Sequence, residues 1–431
     1  MSARTGKITT VVGGQAGSES KGLIVEKIAK GELGEKPAAH VRTGSENAGH
    51  SLYYKNKKYV TQLLPVGFID EEAILCLGAG MYIRAELLER ELKMAEGALG
   101  KPIGSRLIID YQAGVHTEKH TKGESGMHER MGSTAHGCGE ASIDKMRRGF
   151  EYSSFCNTPE GQELKHKYGF QFGDVSEVLN KLYDQGKTLL LEGTQGAALD
   201  LFHGYYPYVT SRSTIAANWF AEAGLSPSLE NQVIMVCRTM PIRVAGNSGP
   251  MFGEIEWVDL AKDINEKRKK AGMVPLVDPV LVANFEMACR DLAATHGLST
   301  WRLSELPEGE RKLKGTQVVN FHKQVFERLG AEPTAELRKL LELTTVTVKL
   351  RRIAHPDWVQ LRKAVQLNRP SKIALTFLNY ILPEVIDCNT WEDIKKSGHV
   401  RKVKAIIKKW ESELGVKVGF ISANKNSVIS L

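Results

Sequence analysis

Much is scarce in this chain of 431 residues, and each scarcity closes off a class of protein. Its six cysteines are scattered, with neither a CxxC pair nor a Cys/His set at zinc spacing. A disulfide framework and a zinc ribbon are therefore not expected; reduced thiols in a cytoplasmic setting are. No apolar run reaches the length of a membrane span, and the opening MSARTGKITT lacks the apolar core of a signal peptide, so no membrane association is expected. Aromatic residues make up 7%, and no aromatic-plus-basic platform accompanies the net charge of +8. That charge suits nucleotide phosphates and dicarboxylates; nucleic acid is not expected as a partner. Internal repeats and low-complexity stretches are missing too.

What is present is alternation. Short β-branched runs at Ile8–Val12, Ala38–Val41, Ala73–Leu77, Arg106–Ile109 and Thr188–Leu191 read as strands. Helical periods lie at Leu23–Lys30, Met81–Ala95, Asp174–Tyr183 and Thr214–Ala223. Further strands are expected at Gln232–Cys237, Thr344–Leu350, Lys372–Thr376 and Val416–Ile421, with a basic helix at Val400–Leu414. Such a pattern predicts an α/β fold: a large, mostly parallel central sheet with helices on both faces. Loops beyond the strand ends then carry the chemistry. Residues 258–343 are charged and helix-rich and read as a helical insertion within a single domain spanning 1–431.

The stretch GGQAGSESKG, Gly13 to Gly22, lies between a strand and a helix. Four glycines interleaved with Ser18, Ser20 and Lys21 let backbone N–H groups face an anion while the lysine adds charge. The spacing matches neither GxxxxGK[ST] nor GxGxxG, so a tight strand-to-helix turn stays open as the alternative. A second loop, RTGSENAGHS (42–51), follows the next strand and carries Asn47, Gly49 and His50. A lone loop histidine is commonly a surface residue. Two phosphate-friendly loops on consecutive strands of one parallel sheet favour a shared site.

With these loops and EGTQGAALDLFHGYYPYVTS (192–211), GSTAHGCGE then DKMRR (132–148), RVAGNSGP (243–250) and KAVQLN (363–368), the chain resembles the adenylosuccinate synthetase family. The motifs run in family order across most of the chain. The resemblance implies a carbon–nitrogen ligase that phosphorylates a purine monophosphate at O6 with an NTP and Mg²⁺, then lets the amine of L-aspartate displace that phosphate. It implies that Gly17, Glu19, Ser20, Lys21 and Gly22 hold the NTP and that Gly49 meets Mg²⁺. His50 becomes the acid at the purine O6. Asn47, Ser133, Thr134, Gln195 and Thr210 bind the monophosphate, which Arg148 reaches from the neighbouring subunit of a homodimer.

Three departures from the family pattern bear on substrate choice. Ser18 stands where the family has an aspartate that takes the N1 proton of IMP and ligates Mg²⁺. A hydroxyl is no base near neutral pH and is a weaker metal ligand. One reading is a silent homologue. The other is a smaller side chain that leaves room for, and accepts a hydrogen bond from, a 2-amino group. Because His50, Gln195 and Lys21 stay in register, the second is preferred: a resemblance to the dGMP-using branch, with Ser18 in the catalytic, monophosphate and metal sets. The proton acceptor is left open among Glu19, water and a substrate phosphate. Next, Thr376-Phe377-Leu378-Asn379 replaces the T-K-x-D type sequence that reads guanine of GTP, so Asn379 implies ATP or dATP as donor. Last, residues 346–352 correspond to the family's aspartate-binding loop, giving Thr347, Lys349 and Arg351 to the dicarboxylate. IMP with GTP remains the alternative substrate pair.

Overall fold

The protein is described from a computed structural model, for residues 6–124, 136–149, 153–244, 248–302, 305–307, 321, 323–342 and 350–431. Ten strands form the central sheet: β1 (Lys7–Gly13), β2 (Ala39–Arg42), β3 (Ile74–Leu77), β4 (Leu107–Asp110), β5 (Gln171–Gly173), β6 (Thr188–Glu192), β7 (Asn231–Arg238), β8 (Lys372–Thr376), β9 (Val418–Ile421) and β10 (Ile429–Ser430). Their spatial order is β10-β9-β8-β7-β1-β6-β2-β3-β4-β5. All pairs are parallel except β9 with β10.

Sequence explains why the sheet is buried on both sides. In β6, Leu189 and Leu191 face one core while Leu190 faces the other; in β7, Val233, Met235 and Cys237 oppose Ile234 and Val236. A strand apolar on both faces needs cover on both, which parallel connections through helices supply. The longer helices among the described residues are α1 (Lys21–Ala29), α2 (Ala85–Leu99), α3 (Cys138–Arg147), α4 (Pro159–Tyr168), α5 (Val175–Asp184), α6 (Ala216–Ala223), α7 (Trp257–Lys270), α8 (Pro279–Thr295), α9 (Trp358–Asn368) and α10 (Val400–Leu414). The first core takes Leu179 of α5, Trp219 of α6, Leu361 of α9 and Trp410 of α10. The second takes Ile24 of α1, Leu88 of α2 and Leu164 of α4. Side-chain oxygens of Thr158 and Asp357 accept from the first-turn amides of α4 and α9, which fixes where those helices begin. A third core joins Trp257 and Ile264 of α7 to Phe285 and Leu292 of α8.

The expected α/β sheet is thus observed, with local differences. The helix expected at Met81–Ala95 starts at Ala85, because Tyr82–Ile83 instead pairs with Gly114–Val115. His50 is not in a loop. It opens an antiparallel hairpin, His50–Tyr54 with Lys57–Thr61, and sits opposite Thr61. Of the strand expected at Thr344–Leu350, only Leu350 is among the described residues. One consequence of the parallel arrangement governs function: β1, β2, β6, β7 and β8 all deliver their C-terminal loops to the same edge.

Candidate active site

At the end of β1 the chain turns tightly. Gly17, Ser18 and Ser20 have φ of 85°, 62° and 69°, the left-handed region that costs a residue with a side chain energy. Glu19 holds this turn from within. It is fully buried; its Oε1 accepts from the amides of Gln15 (3.1 Å) and Gly17 (2.8 Å), and its Oε2 lies 2.7 Å from Lys21 Nζ. Thr376 at the end of β8 donates to the Glu19 carbonyl (3.0 Å), tying β8 to the loop. Among the described residues no side chain caps α1, whose first turn carries no acidic residue; Leu23 N–H goes to the Ser20 carbonyl (3.0 Å), and the amides before it remain for an anion. With both oxygens engaged, Glu19 is set as a brace for Lys21 and the loop rather than as a proton acceptor.

Gly22 shows why this loop needs glycine. A Cβ there would lie 2.7 Å from the Ser51 carbonyl oxygen and 3.1 Å from His50 Cβ. The missing side chain lets α1 start against the strand that carries His50.

His50 is buried and belongs to a charged triad that motif reading did not single out. In register, Arg42 and Glu192 are neighbours at the ends of β2 and β6. Arg42 and Glu192 pair directly, and Glu192 Oε1 lies 2.5 Å from His50 Nδ1. Its other oxygen accepts from the Val66 amide (2.8 Å). Burial alone would raise the Glu192 pKa, yet Arg42, His50 and Val66 hold it down to about 2. Burial, then Arg42, push His50 down to about 4 against the pull of Glu192. Arg42 Nη1 also lies 3.0 Å from Nδ1, but the nearer ionised carboxylate can only accept, so Nδ1 is assigned the imidazole proton and Nε2 is the nitrogen left to meet a ligand. The sequence offered a charge at the end of each of two short strands, AHVR and TLLLE, but nothing in it said that the two strands lie side by side.

The preceding loop is fixed by another buried acid. Glu46 lies 2.8 Å from Arg84; burial would raise its pKa, but His116, His136 and Arg84 hold it down to about 2. This stiffens the stretch that presents half-buried Asn47 and exposed Gly49.

The loop after β6 is threaded into the first. A Cβ on Gly13 would lie 2.3 Å from the Gln195 carbonyl oxygen. Gln195, at φ 55°, donates through Nε2 to Thr210 Oγ1 at 3.2 Å. Two expected monophosphate ligands, 15 positions apart, therefore meet. Arg148 ends α3, exposed, at φ 54°. Ser133, Thr134, Thr347 and Lys349 lie outside the described residues.

Two further contacts define the far side. Arg351 donates through Nη1 to Ser18 Oγ at 2.7 Å, a contact across 333 positions. Arg238 of β7 is buried, pairs with Glu342, donates to Tyr380 Oη (2.9 Å) and lies 3.7 Å from the Phe377 ring centroid. Beside it, Asn379 is 9% exposed and its Oδ1 has no hydrogen-bond partner among the described residues. An orphaned buried acceptor is costly unless a ligand supplies the donor.

The edge thus gathers a phosphate-type turn with its lysine, a buried histidine, an amide–hydroxyl pair, an arginine on a serine and an unsatisfied acceptor. Among the described residues no group of three or more His, Cys, Asp or Glu could hold a metal, and no helix is long and apolar enough to cross a membrane.

The family model described as adenylosuccinate synthetase matches residues 10–169 and 158–412. An adenylosuccinate synthetase of Methanocaldococcus jannaschii is 31% identical over 351 residues, covering 79% of this chain and 92% of the relative. That of Methanococcus aeolicus is 31% identical over 418 residues, covering 96% of each. Among solved structures, the cyanophage S-2L succinoaminodeoxyadenylate synthetase (PurZ) bound to dGMP and dATP as an energy donor is similar, with TM-score 0.66 and 22% identity, over 99% of this chain and 96% of that one. The fully ligated adenylosuccinate synthetase of Plasmodium falciparum has TM-score 0.68 and 19% identity, over 99% and 100%.

Proposed function

The chain belongs to the adenylosuccinate synthetase family of ligases, and from that premise we propose that it condenses dGMP with L-aspartate. ATP or dATP drives the reaction through a 6-phosphorylated purine. The products are N6-succino-2-amino-2′-deoxyadenylate, the nucleoside diphosphate and phosphate. The observation that carries this reading is Ser18: an uncharged hydroxyl, held by Arg351, where the family pattern has a carboxylate. Its smaller volume makes room at the purine C2 edge, and its oxygen keeps a lone pair for a 2-amino group. Asn379 supports the choice of donor, because a lone amide oxygen suits an exocyclic adenine amine, whereas guanine's paired donors call for a carboxylate. The cyanophage synthetase binds dGMP, with dATP as its energy donor, in keeping with both choices.

In the proposed chemistry, Lys21, braced by Glu19, and the N-terminus of α1 receive the triphosphate. Gln195, Thr210 and Asn47 receive the monophosphate substrate, joined by Ser133 and Thr134, with Arg148 arriving from a second subunit. His50 stands neutral until phosphate charge gathers near Nε2; that charge raises its proton affinity, and the imidazolium then serves as acid at the purine O6. The aspartate carboxylates meet Arg351, Thr347 and Lys349, forks and hydroxyls suited to them. The Gly49 carbonyl and the substrate phosphates suit Mg²⁺, which would neutralise phosphate charge. The Ser18 hydroxyl does not suit it, because a guanidinium nitrogen 2.7 Å away occupies the same oxygen. We read 1–431 as one cytoplasmic enzyme domain in which 258–343 is a helical insertion.

Phosphate release with aspartate, Mg²⁺ and each pairing of dGMP, GMP or IMP with ATP, dATP or GTP tests the reading. Turnover with dGMP and an adenine nucleotide is expected. The archaeal relatives, all named adenylosuccinate synthetase, favour the second reading, IMP with GTP. Turnover with that pair alone would establish it, and no turnover with any pair would indicate a silent homologue.

A further inference from the structure

We propose that Arg351 is a positioning residue that turns the Ser18 hydroxyl into a hydrogen-bond donor toward N1 of the bound purine. The pair thereby stabilises the deprotonated ring nitrogen of the 6-phosphorylated intermediate, in place of a protein base. The proposal rests on the preceding reading of Ser18 as the residue at the base's N1–C2 edge.

Ser18 Oγ accepts from a charged guanidinium at 2.7 Å. With one lone pair engaged there, the hydroxyl proton must point elsewhere, and a cationic donor behind it polarises it into a stronger donor. The serine cannot swing away easily. Its backbone is held at φ 62° between Gly17 and Glu19, and Arg238 Nη1 lies 3.4 Å from its carbonyl oxygen.

The surrounding charges leave Arg351 as the effective cation. Lys21 is matched by Glu19 at 2.7 Å. Arg238 is matched by Glu342, whose Oε1 also accepts from Tyr380 (2.8 Å). Arg351 donates its backbone N–H to the Glu342 carbonyl at 2.8 Å, and its guanidinium feels the Glu342 and Glu19 carboxylates only at a distance, both of them already paired with other cations. Among the described residues, no carboxylate forms an ion pair with its side chain. No other hydrogen bond among the described residues engages its fork, which suits an aspartate carboxylate.

In the first step the purine O6 bonds to the γ-phosphorus and the bond from that phosphorus to the β–γ bridging oxygen breaks. The N1–H electron pair becomes the N1=C6 double bond, and the proton leaves to water. Before the step N1 carries hydrogen and cannot accept from Ser18. After it N1 offers a lone pair. The Ser18 hydrogen bond to N1 is therefore absent from the bound substrate and strengthens as the proton departs, so it favours the transition state over the ground state.

The test omits aspartate, so that any role of Arg351 in holding that substrate is silent. Scrambling of ¹⁸O from the β–γ bridge of the NTP reports the first step, with whichever of dGMP and IMP the native enzyme turns over. A wrong choice of purine and a wrong role for Arg351 thus give different results. Arg351→Gln is expected to slow scrambling by roughly 10- to 100-fold, the scale of a hydrogen bond to a charged group, with the dissociation constant of the monophosphate unchanged. Unchanged binding also certifies that the variant folds. Arg351→Lys should recover most of the rate, and in a Ser18→Ala background Arg351→Gln should cost little more. An equal loss in that background, or a parallel loss of monophosphate binding, overturns the proposal. Absence of scrambling by the native enzyme with every purine monophosphate overturns both it and the reading beneath it.

Discussion

Replacing Glu192 with glutamine tests the least expected part of the site. The side chain keeps its shape, so packing is preserved, but the charge that balances buried Arg42 is gone. Breaking a buried pair by removing one partner destabilises a protein by about 3–5 kcal/mol, because the survivor is left unpaired. His50 loses more than a neighbour. The carboxylate at 2.5 Å fixes which ring nitrogen carries the proton and is the main influence raising its proton affinity. With an amide there, either tautomer can form and the imidazolium loses its counter-charge. Turnover should fall by roughly 10²- to 10⁴-fold, the range for acid–base groups. Phosphate release at saturating substrates measures the rate, and urea unfolding measures the stability. Near-native turnover in a variant destabilised as expected would refute the assignment of His50 as acid through Nε2. Loss of neither would refute the triad.

Three other outcomes follow from the same geometry. The pKa of His50 is held near 4 in the folded chain against 6.5 when unperturbed, so between those pH values the unfolded chain binds the extra proton. Stability should thus fall as pH drops from 6.5 to 4, by up to about 3 kcal/mol from this group, and His50→Gln should flatten that stretch of a urea-midpoint titration. Asn379→Asp should shift the kcat/KM ratio for GTP over ATP upward by about tenfold or more, since a carboxylate accepts both guanine donors; an unmoved ratio would remove Asn379 from the donor site. Gly22→Ala puts a methyl 2.7 Å from a backbone oxygen, costing about 1–3 kcal/mol and displacing His50, so unfolding midpoint and turnover should drop together.

The sheet was legible because its strands announce themselves: β6 and β7 are apolar at successive positions and bounded by turns. The glycine loops were legible because Gly13 and Gly22 stand where strand gives way to helix. The Arg42–Glu192 pair was not, since it depends on β2 and β6 lying side by side although 150 positions separate the two residues. Nor was the hairpin that begins at His50, whose turn uses Lys55 and Asn56 at φ 48° and 62° without a glycine. Short edge strands such as β5 and β10 carry too few residues to show a period. Ser18 and Arg351 could each be singled out in a motif, but their contact could not, because only tertiary structure joins them.

In the proposed reading, substrate choice turns on the residue at position 18 facing the C2 edge of the purine. The most direct measurement is the ratio of kcat/KM for dGMP to that for IMP, before and after Ser18→Asp. A carboxylate there is bulkier and would form an ion pair with Arg351. The ratio is predicted to favour dGMP in the native enzyme and to fall by about tenfold or more in the variant. A ratio that favours IMP from the start, or one that the substitution leaves unchanged, would contradict that role for Ser18.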